Sequence, residues 1–330
     1  MTTTARTVLF HEIGGPEVLR VEETELPDPA PGEVLVKVEA LGLNRAEAML
    51  RAGTYFYQPT LPGSRNGYEA AGEVVAVGAG VTAFAPGDLV LAAANHHLST
   101  HGVYADLVLL PETSVVPRPA GVDAVTAAAV WLTYTTAYGA LIERAGTAAG
   151  DHVLITGASS GVGTAAIQVA RRAGAIPIAT TRTEAKRQAL LDLGAEHVIV
   201  SEDEDVIKET RRLTDGRGAE IVLDAIGGSY FRELGAAAAA DATMVSYGWL
   251  ADGPIELPRN WPVTVHGYAN FILTGNAEGR RRAAHYLGAG LTDGTLRPVI
   301  AEVYDGLDRM ADAHRLMESN AHLGKIVVRP

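Results

Sequence analysis

Val153-Leu154-Ile155-Thr156-Gly157-Ala158-Ser159-Ser160-Gly161-Val162-Gly163 decides how the rest of the chain is read. The apolar, β-branched run 153–155 reads as a buried strand. It breaks into a glycine and serine turn, after which residues 164–172 carry apolar side chains at helical spacing. Strand, glycine turn and helix make the first half of a dinucleotide-binding βαβ unit. Glycines let the backbone approach a pyrophosphate, and the first N–H groups of the helix face that anion. A short glycine motif also arises by chance, so its context must carry the reading. That context is present: strands are expected at 176–180, 197–200, 220–224 and 244–247, with helices at 184–193 and 206–214. Alternation of this kind makes an α/β, parallel, doubly wound sheet.

Residues 1–125 follow a different rhythm. Short strands are expected at 7–11, 18–22, 33–41, 72–77, 89–92 and 104–110, with turns at 27–32 and 86–88 and one helix at 46–51. Strands this frequent, without long helices between them, form a compact β-barrel-type domain. Residues 125–141 read as linking helices, and 236–240 as an alanine-rich piece of helix. The tail is extended over 296–304, helical over 308–319 and a strand again at 325–328. A tail with strand character is expected to return to the first domain. The expected organisation is therefore a first domain, 1–125 with a C-terminal return at 273–330, and a nucleotide domain at 126–272.

The chain has 330 residues, which suits two domains. A net charge of −12 argues against nucleic acid or an acidic membrane surface as partner. There is no cysteine, which excludes disulfides and thiolate metal sites. The opening Met1-Thr2-Thr3-Thr4-Ala5-Arg6 lacks the apolar core of a signal peptide, and no apolar run reaches the ~20 residues of a membrane span. A cytoplasmic protein acting on a small molecule is expected.

Several landmarks together resemble the medium-chain dehydrogenase/reductase superfamily, in its zinc-independent quinone oxidoreductase and enoyl reductase branch. They are Ala40-Leu41-Gly42-Leu43-Asn44, Gly67-Tyr68-Glu69-Ala70-Ala71-Gly72-Glu73-Val74, Pro86-Gly87-Asp88, the glycine turn, and Gly324-Lys325-Ile326-Val327-Val328. The resemblance covers essentially the whole length. It implies a GroES-like β-barrel-type catalytic domain, a Rossmann domain and a cofactor cleft, and by family habit a homodimer. Where the zinc-dependent members place a Cys and a His ligand, this chain has Asn44 and Tyr68, so no catalytic metal is expected. His96, His97 and His101 have no carboxylate at ligand spacing, and they read as an exposed polar loop, 95–100, where the family's substrate pockets open.

The second strand of the nucleotide domain ends Ala179-Thr180-Thr181-Arg182-Thr183-Glu184-Ala185-Lys186. An NAD site places an acid there for the ribose 2′-hydroxyl. Here Arg182 and Lys186 stand i, i+4 instead, and Thr180 or Thr181 is placed to add a hydroxyl. A guanidinium grips a 2′-phosphate through two hydrogen bonds. Cations at a helix start oppose the macrodipole, which favours an anion-binding role. NADPH is the expected cofactor. Its other contacts are expected from Gly157, Ser159, Ser160, Gly161, Val162 and Gly163, from Tyr247 and Gly248 at the carboxyl edge of the sheet, and from Lys325. By resemblance Thr133 lies near the nicotinamide.

Hydride addition to the C=C of an enone or enoyl thioester, or to a quinone, needs a donor for the oxygen that becomes enolate-like, and a proton. By resemblance, Asn44 positions cofactor or substrate and Tyr55 donates the hydrogen bond or proton, with Tyr68 as second choice. A tyrosine, with its pKa near 10, suits donation. A short-chain dehydrogenase would need a Tyr-x-x-x-Lys pair, but Lys37, Lys186, Lys208 and Lys325 follow Glu33, Arg182, Glu204 and Ala321 at that spacing. Two alternatives stay open: a non-catalytic NADPH-binding regulator on a reductase fold, and a reductase of a specialised biosynthetic intermediate.

Overall fold

The structure is a computed structural model and describes residues 3–330. It divides into two compact units, one formed by residues up to 132 with 274–284 and 298–330, the other by 133–273 with 285–297.

The first unit opens with an antiparallel ribbon, β1 (Thr3–Leu9) and β2 (Arg20–Leu26). Then come β3 (Glu33–Gly42), β4 (Glu69–Val77), β5 (Leu89–Ala92), β6 (Leu107–Pro111) and β7 (Val115–Pro117). β3 is central: it pairs antiparallel with β4 and with β6. Its Val34, Val36, Val38 and Leu41 enter a core shared with Val74, Val90 and Val108. Gly42 ends β3 for a steric reason, since a Cβ there would lie 1.9 Å from the Ala128 carbonyl oxygen. The expected strand at 104–110 begins only at Leu107, and Tyr104 is fully buried ahead of it.

The second unit holds β8 (His152–Ile155), β9 (Ile176–Thr181), β10 (His197–Val200), β11 (Ala219–Asp224), β12 (Ala238–Ser246) and β13 (Val263–Gly267). They form one parallel sheet in the order β10-β9-β8-β11-β12-β13. This is the doubly wound arrangement expected from the alternating pattern, with the first strand central and the chain winding outward both ways. The helix Gly161–Arg172 follows β8 directly. Leu154, Ile178, Ile199, Val222 and Met244 build the core from five strands.

Residues 236–240 are not a helix piece: a 3-10 turn, Gly235–Ala237, passes straight into β12. Helix propensity is a weak prior, and sheet pairing with β11 overrides it here. The helix expected at 184–193 starts as a 3-10 turn, Glu184–Lys186, and becomes α-helical only over Arg187–Asp192. Strand β13 and the helices Gly228–Leu234 and Ala277–Thr292 had no expectation: the first two are short runs of five and seven residues, and the Ala- and Arg-rich third gives little apolar periodicity.

Within the first unit the sheet is completed by β14 (Ile300–Asp305) and β15 (Lys325–Arg329), with the helix Met310–Ser319 between them. β15 pairs antiparallel with the end of β3 through Val327 opposite Gly42 and Val328 opposite Leu41, and β14 runs parallel to β15. This pairing sets Lys325 beside the β3–Asn44 corner. Among the described residues no helix is long and apolar enough to cross a membrane.

Candidate active site

Asn44 precedes the helix Arg45–Arg51, and Glu47 in its first turn reaches back to it. The Asn44 backbone N–H donates to Glu47 Oε2 (2.5 Å) and its Nδ2 to Glu47 Oε1 (3.0 Å) and the Gly42 carbonyl (3.2 Å). Lys325 Nζ donates to Asn44 Oδ1 and pairs with Glu69 Oε2 at 2.6 Å. Both amide protons of Asn44 are thus committed inside the protein. Glu69 Oε1 accepts from the Leu132 N–H at 3.0 Å.

Glu47 is the residue the sequence reading missed. It is fully buried and also accepts from the Tyr68 N–H (2.9 Å) and from the Tyr104 hydroxyl (2.6 Å). Burial raises its pKa, and Lys325 and these donors oppose that rise. One carboxylate therefore fixes both Asn44 and Tyr68. A glutamate three residues after a helix N-cap was the signal that could have found it. Behind Tyr104, His314 Nε2 lies 3.3 Å from the phenol oxygen, and His314 is buried at 0% exposure.

Tyr55 and Tyr57 lie in the chain beyond the helix, and Tyr68 sits at the entry to β4. Tyr68 Oη is 3.1 Å from Tyr55 Oη and 3.3 Å from Tyr57 Oη. Tyr57 Oη accepts from the Leu98 N–H at 3.2 Å, and its ring stacks on His97 at 4.4 Å. Burial pushes the Tyr55 phenol up to about 12 and raises Tyr68 well above its ordinary value. Both are therefore protonated donors at neutral pH. Tyr68 is only 8% exposed, so of the two Tyr55 is the more open.

The expected exposed histidine loop is half wrong. His97 is exposed, but His96 is 7% exposed and residues 98–101 form a helical turn. Burial pushes His96 down to about 4, so its ring is neutral and Nε2–H donates to the Gly67 carbonyl at 3.1 Å. Apolar Leu98, wholly buried, pulls the segment inward. Among the described residues no group of three or more His, Cys, Asp or Glu side chains could hold a metal ion.

In the second unit, Ser160 caps the helix Gly161–Arg172: its Oγ accepts from the Gly163 N–H at 3.0 Å. Gly157 has φ +57°, and a Cβ on Gly163 would lie 2.5 Å from the Gly157 carbonyl oxygen. Only glycine allows this turn to fold so tightly under the helix. Val162 and Gly161 are part-exposed in the first turn, where N–H groups point out of the helix end. A dinucleotide's pyrophosphate fits such a turn. Buried Asp224 locks the turn from below through Thr156 Oγ1 (2.6 Å) and the Gly227 N–H (2.7 Å). Tyr247, next to the end of β12, has its pKa raised by burial, with Ser160 opposing the rise. Gly248 follows where a Cβ would meet the Ala225 carbonyl oxygen at 2.5 Å.

At the end of β9, Thr181 is buried and Arg182 exposed. Lys186 Nζ donates to Ser159 Oγ of the glycine turn at 3.2 Å. Burial and the neighbouring Arg182 charge lower the Lys186 pKa. Thr133, 3% exposed, lies in the helix Trp131–Tyr138. The structure thus groups Asn44, Tyr55, Tyr68 and Lys325 in the first unit, and the glycine turn, Thr181, Arg182, Lys186, Tyr247 and Gly248 in the second.

Comparison with known proteins adds to this geometry. The model of the alcohol dehydrogenase GroES-like domain matches residues 30–120, and that of the zinc-binding dehydrogenase family residues 161–289. Quinone oxidoreductase of Lama guanicoe is 33% identical over 335 residues, covering 98% of this chain and 97% of its own. The quinone oxidoreductase of Homo sapiens is 32% identical over 332 residues, covering 98% and 97%. The crystal structure of Escherichia coli quinone oxidoreductase complexed with NADPH superimposes with a TM-score of 0.90, at 27% identity, over 99% of this chain and 100% of that one.

Proposed function

Because the chain belongs to the medium-chain dehydrogenase/reductase family, in its quinone oxidoreductase branch, we propose that it is an NADPH-dependent reductase of quinones or of the C=C of α,β-unsaturated carbonyls. The observation that carries this reading is the pair Asn44 and Tyr68. They stand where zinc-dependent relatives keep ligands, and Glu47 binds both of them. The site then offers phenol protons in place of a Lewis acid. When bound, the nicotinamide supplies the hydride. Tyr55, protonated and partly exposed, holds the substrate oxygen as negative charge develops on it. Asn44, its amide protons spent internally, keeps Lys325 in place, and Lys325 balances the buried charges of Glu47 and Glu69.

NADPH over NADH rests on Arg182 and Lys186, two like charges held together with no acid at the strand end. A 2′-phosphate relieves their repulsion, whereas a 2′-hydroxyl does not. A homodimer is proposed from β13, the outer strand of the parallel sheet, together with Trp261, which is 68% exposed just ahead of it.

The test is NADPH oxidation, in the presence of a chelator, against 1,4-benzoquinone, cyclohex-2-enone and crotonyl thioester. Turnover with one of these is expected. NADPH binding without turnover on any of them would favour a regulatory role. In the same assay Arg182→Ala should raise the KM for NADPH roughly tenfold or more, the loss of a charge-assisted pair, and barely change that for NADH. Equal loss for both cofactors would sink the 2′-phosphate assignment.

A further inference from the structure

Tyr55, Tyr57 and Tyr68 form one chain of hydroxyls that begins at a backbone amide. The contacts run Leu98 N to Tyr57 Oη (3.2 Å), Tyr57 Oη to Tyr68 Oη (3.3 Å) and Tyr68 Oη to Tyr55 Oη (3.1 Å). Each hydroxyl has one proton to give and can accept two. The Leu98 N–H can only donate, and it is an amide that does not titrate. The two contacts between the tyrosines can run either way, and one of the two directions runs from that end: Tyr57 accepts from Leu98 and gives its proton to Tyr68. Tyr68, buried, accepts from Tyr57 and gives its proton to Tyr55. Tyr55 accepts from Tyr68, and its own proton is left for an acceptor outside the chain.

We propose that this polarity makes Tyr55 the terminal donor to the substrate oxygen, with Tyr57 and Tyr68 as positioning residues that polarise it. The inference rests on the reading of Tyr55 as donor. A quinone or enone oxygen can only accept a hydrogen bond, so its arrival at Tyr55 requires this direction; the reverse would spend the Tyr55 proton on Tyr68. All three O–H dipoles then point toward the oxygen on which charge develops, and hydrogen bonds in series strengthen one another. His97, stacked on Tyr57 at 4.4 Å, and buried His96, whose ring centroid is 5.6 Å from that of Tyr68, hold two of the rings in place. The segment 95–101 thus serves the site through the Leu98 backbone and through ring packing. Its histidines need not touch substrate.

Four variants test this with whichever acceptor turns over in the panel above: Tyr55→Phe, Tyr57→Phe, Tyr68→Phe and the double Tyr57→Phe/Tyr68→Phe. Each keeps its ring, so packing is conserved. Tyr55→Phe should lower kcat by roughly a hundredfold, as loss of an oxyanion donor does. Tyr57→Phe and Tyr68→Phe should each lower kcat by roughly three- to tenfold, with the NADPH Kd and the substrate KM unchanged. The double variant should match Tyr68→Phe alone, since the chain is already cut there. Losses that multiply, or that fall on KM, would overturn the relay. An unchanged kcat in both single variants, with Tyr55→Phe still impaired, would overturn the relay and leave Tyr55 as donor. Unchanged kcat in Tyr55→Phe, or no turnover by the wild-type protein on any acceptor, would remove the reading on which the relay stands, and the relay with it.

Discussion

At the scale of single residues, the buried polar groups of the first unit carry the sharpest consequences. His96 is neutral because burial outweighs its hydrogen bond to Gly67, and its pKa stands at about 4 against 6.5 for a free histidine. A histidine whose folded pKa is depressed contributes stability that is fully present above the unfolded value and is lost as pH falls toward the folded one. Acidification from pH 6.5 to 4 should therefore cost the wild-type protein up to roughly 3 kcal/mol through His96 alone. The buried His314, also lowered by burial, adds to the loss in the same direction. His96→Gln keeps a donor for the Gly67 carbonyl without a group that charges. Urea unfolding followed at stepped pH should show a shallower decline for this variant. Parallel curves for variant and wild type would mean that His96 titrates as freely folded as unfolded.

At the scale of the element, the turn between β8 and the helix Gly161–Arg172 shows how local geometry prepares a binding surface. Ser160 spends its hydroxyl on the Gly163 N–H. Gly163 packs its bare Cα against Ala158, where a Cβ would come within 2.5 Å of the Ala158 Cα. The cap satisfies one donor of the first turn and leaves the neighbouring N–H groups for the cofactor. Ser160→Ala should lower stability by about 1 kcal/mol, as loss of an N-cap does. Gly163→Ala should do more: neither the Gly157 carbonyl nor the Ala158 backbone can move aside without unwinding the turn, so cofactor affinity should fall with stability. A fluorescence titration with NADPH beside a thermal melt separates the two effects. A Gly163→Ala protein that binds NADPH normally would refute the steric role.

At the scale of the whole molecule, the outer edge of the parallel sheet is the feature with a consequence for assembly. β13 pairs only with β12 in the sheet order, and the exposed residues Trp249, Leu257 and Trp261 lie in the segment leading to it. Unpaired strand edges flanked by apolar side chains are ready templates for a second chain. Trp261→Glu should convert the proposed dimer to a monomer in light scattering at micromolar concentration. A wild-type monomer, or a dimer indifferent to this substitution, would place any interface elsewhere.

The parallel sheet and the chemistry of its turn were readable from the order of residues alone. Buried parallel strands must be apolar runs, and a tight strand-to-helix turn must be glycine, so both leave marks that are local in the chain. The run 153–155 and Gly157 to Gly163 show them plainly. The absence of an acid at the end of β9, over residues 180–182, and the presence of Asn44 and Tyr68 at two motif positions, were legible for the same reason: each is a single residue at a motif position. Contacts between residues far apart in the chain emerge only once it is folded. Lys325 reaches Asn44 and Glu69 because β15 pairs with the end of β3, across almost the entire chain. Glu47 joins Asn44, Tyr68 and Tyr104 because β4 and the segment before β6 converge on one helix turn. His96 is neutral and inward because Leu98 anchors its loop in the core. Tyr57 meets that loop through the Leu98 backbone amide, a group every residue but proline has, so no side-chain pattern could announce the contact.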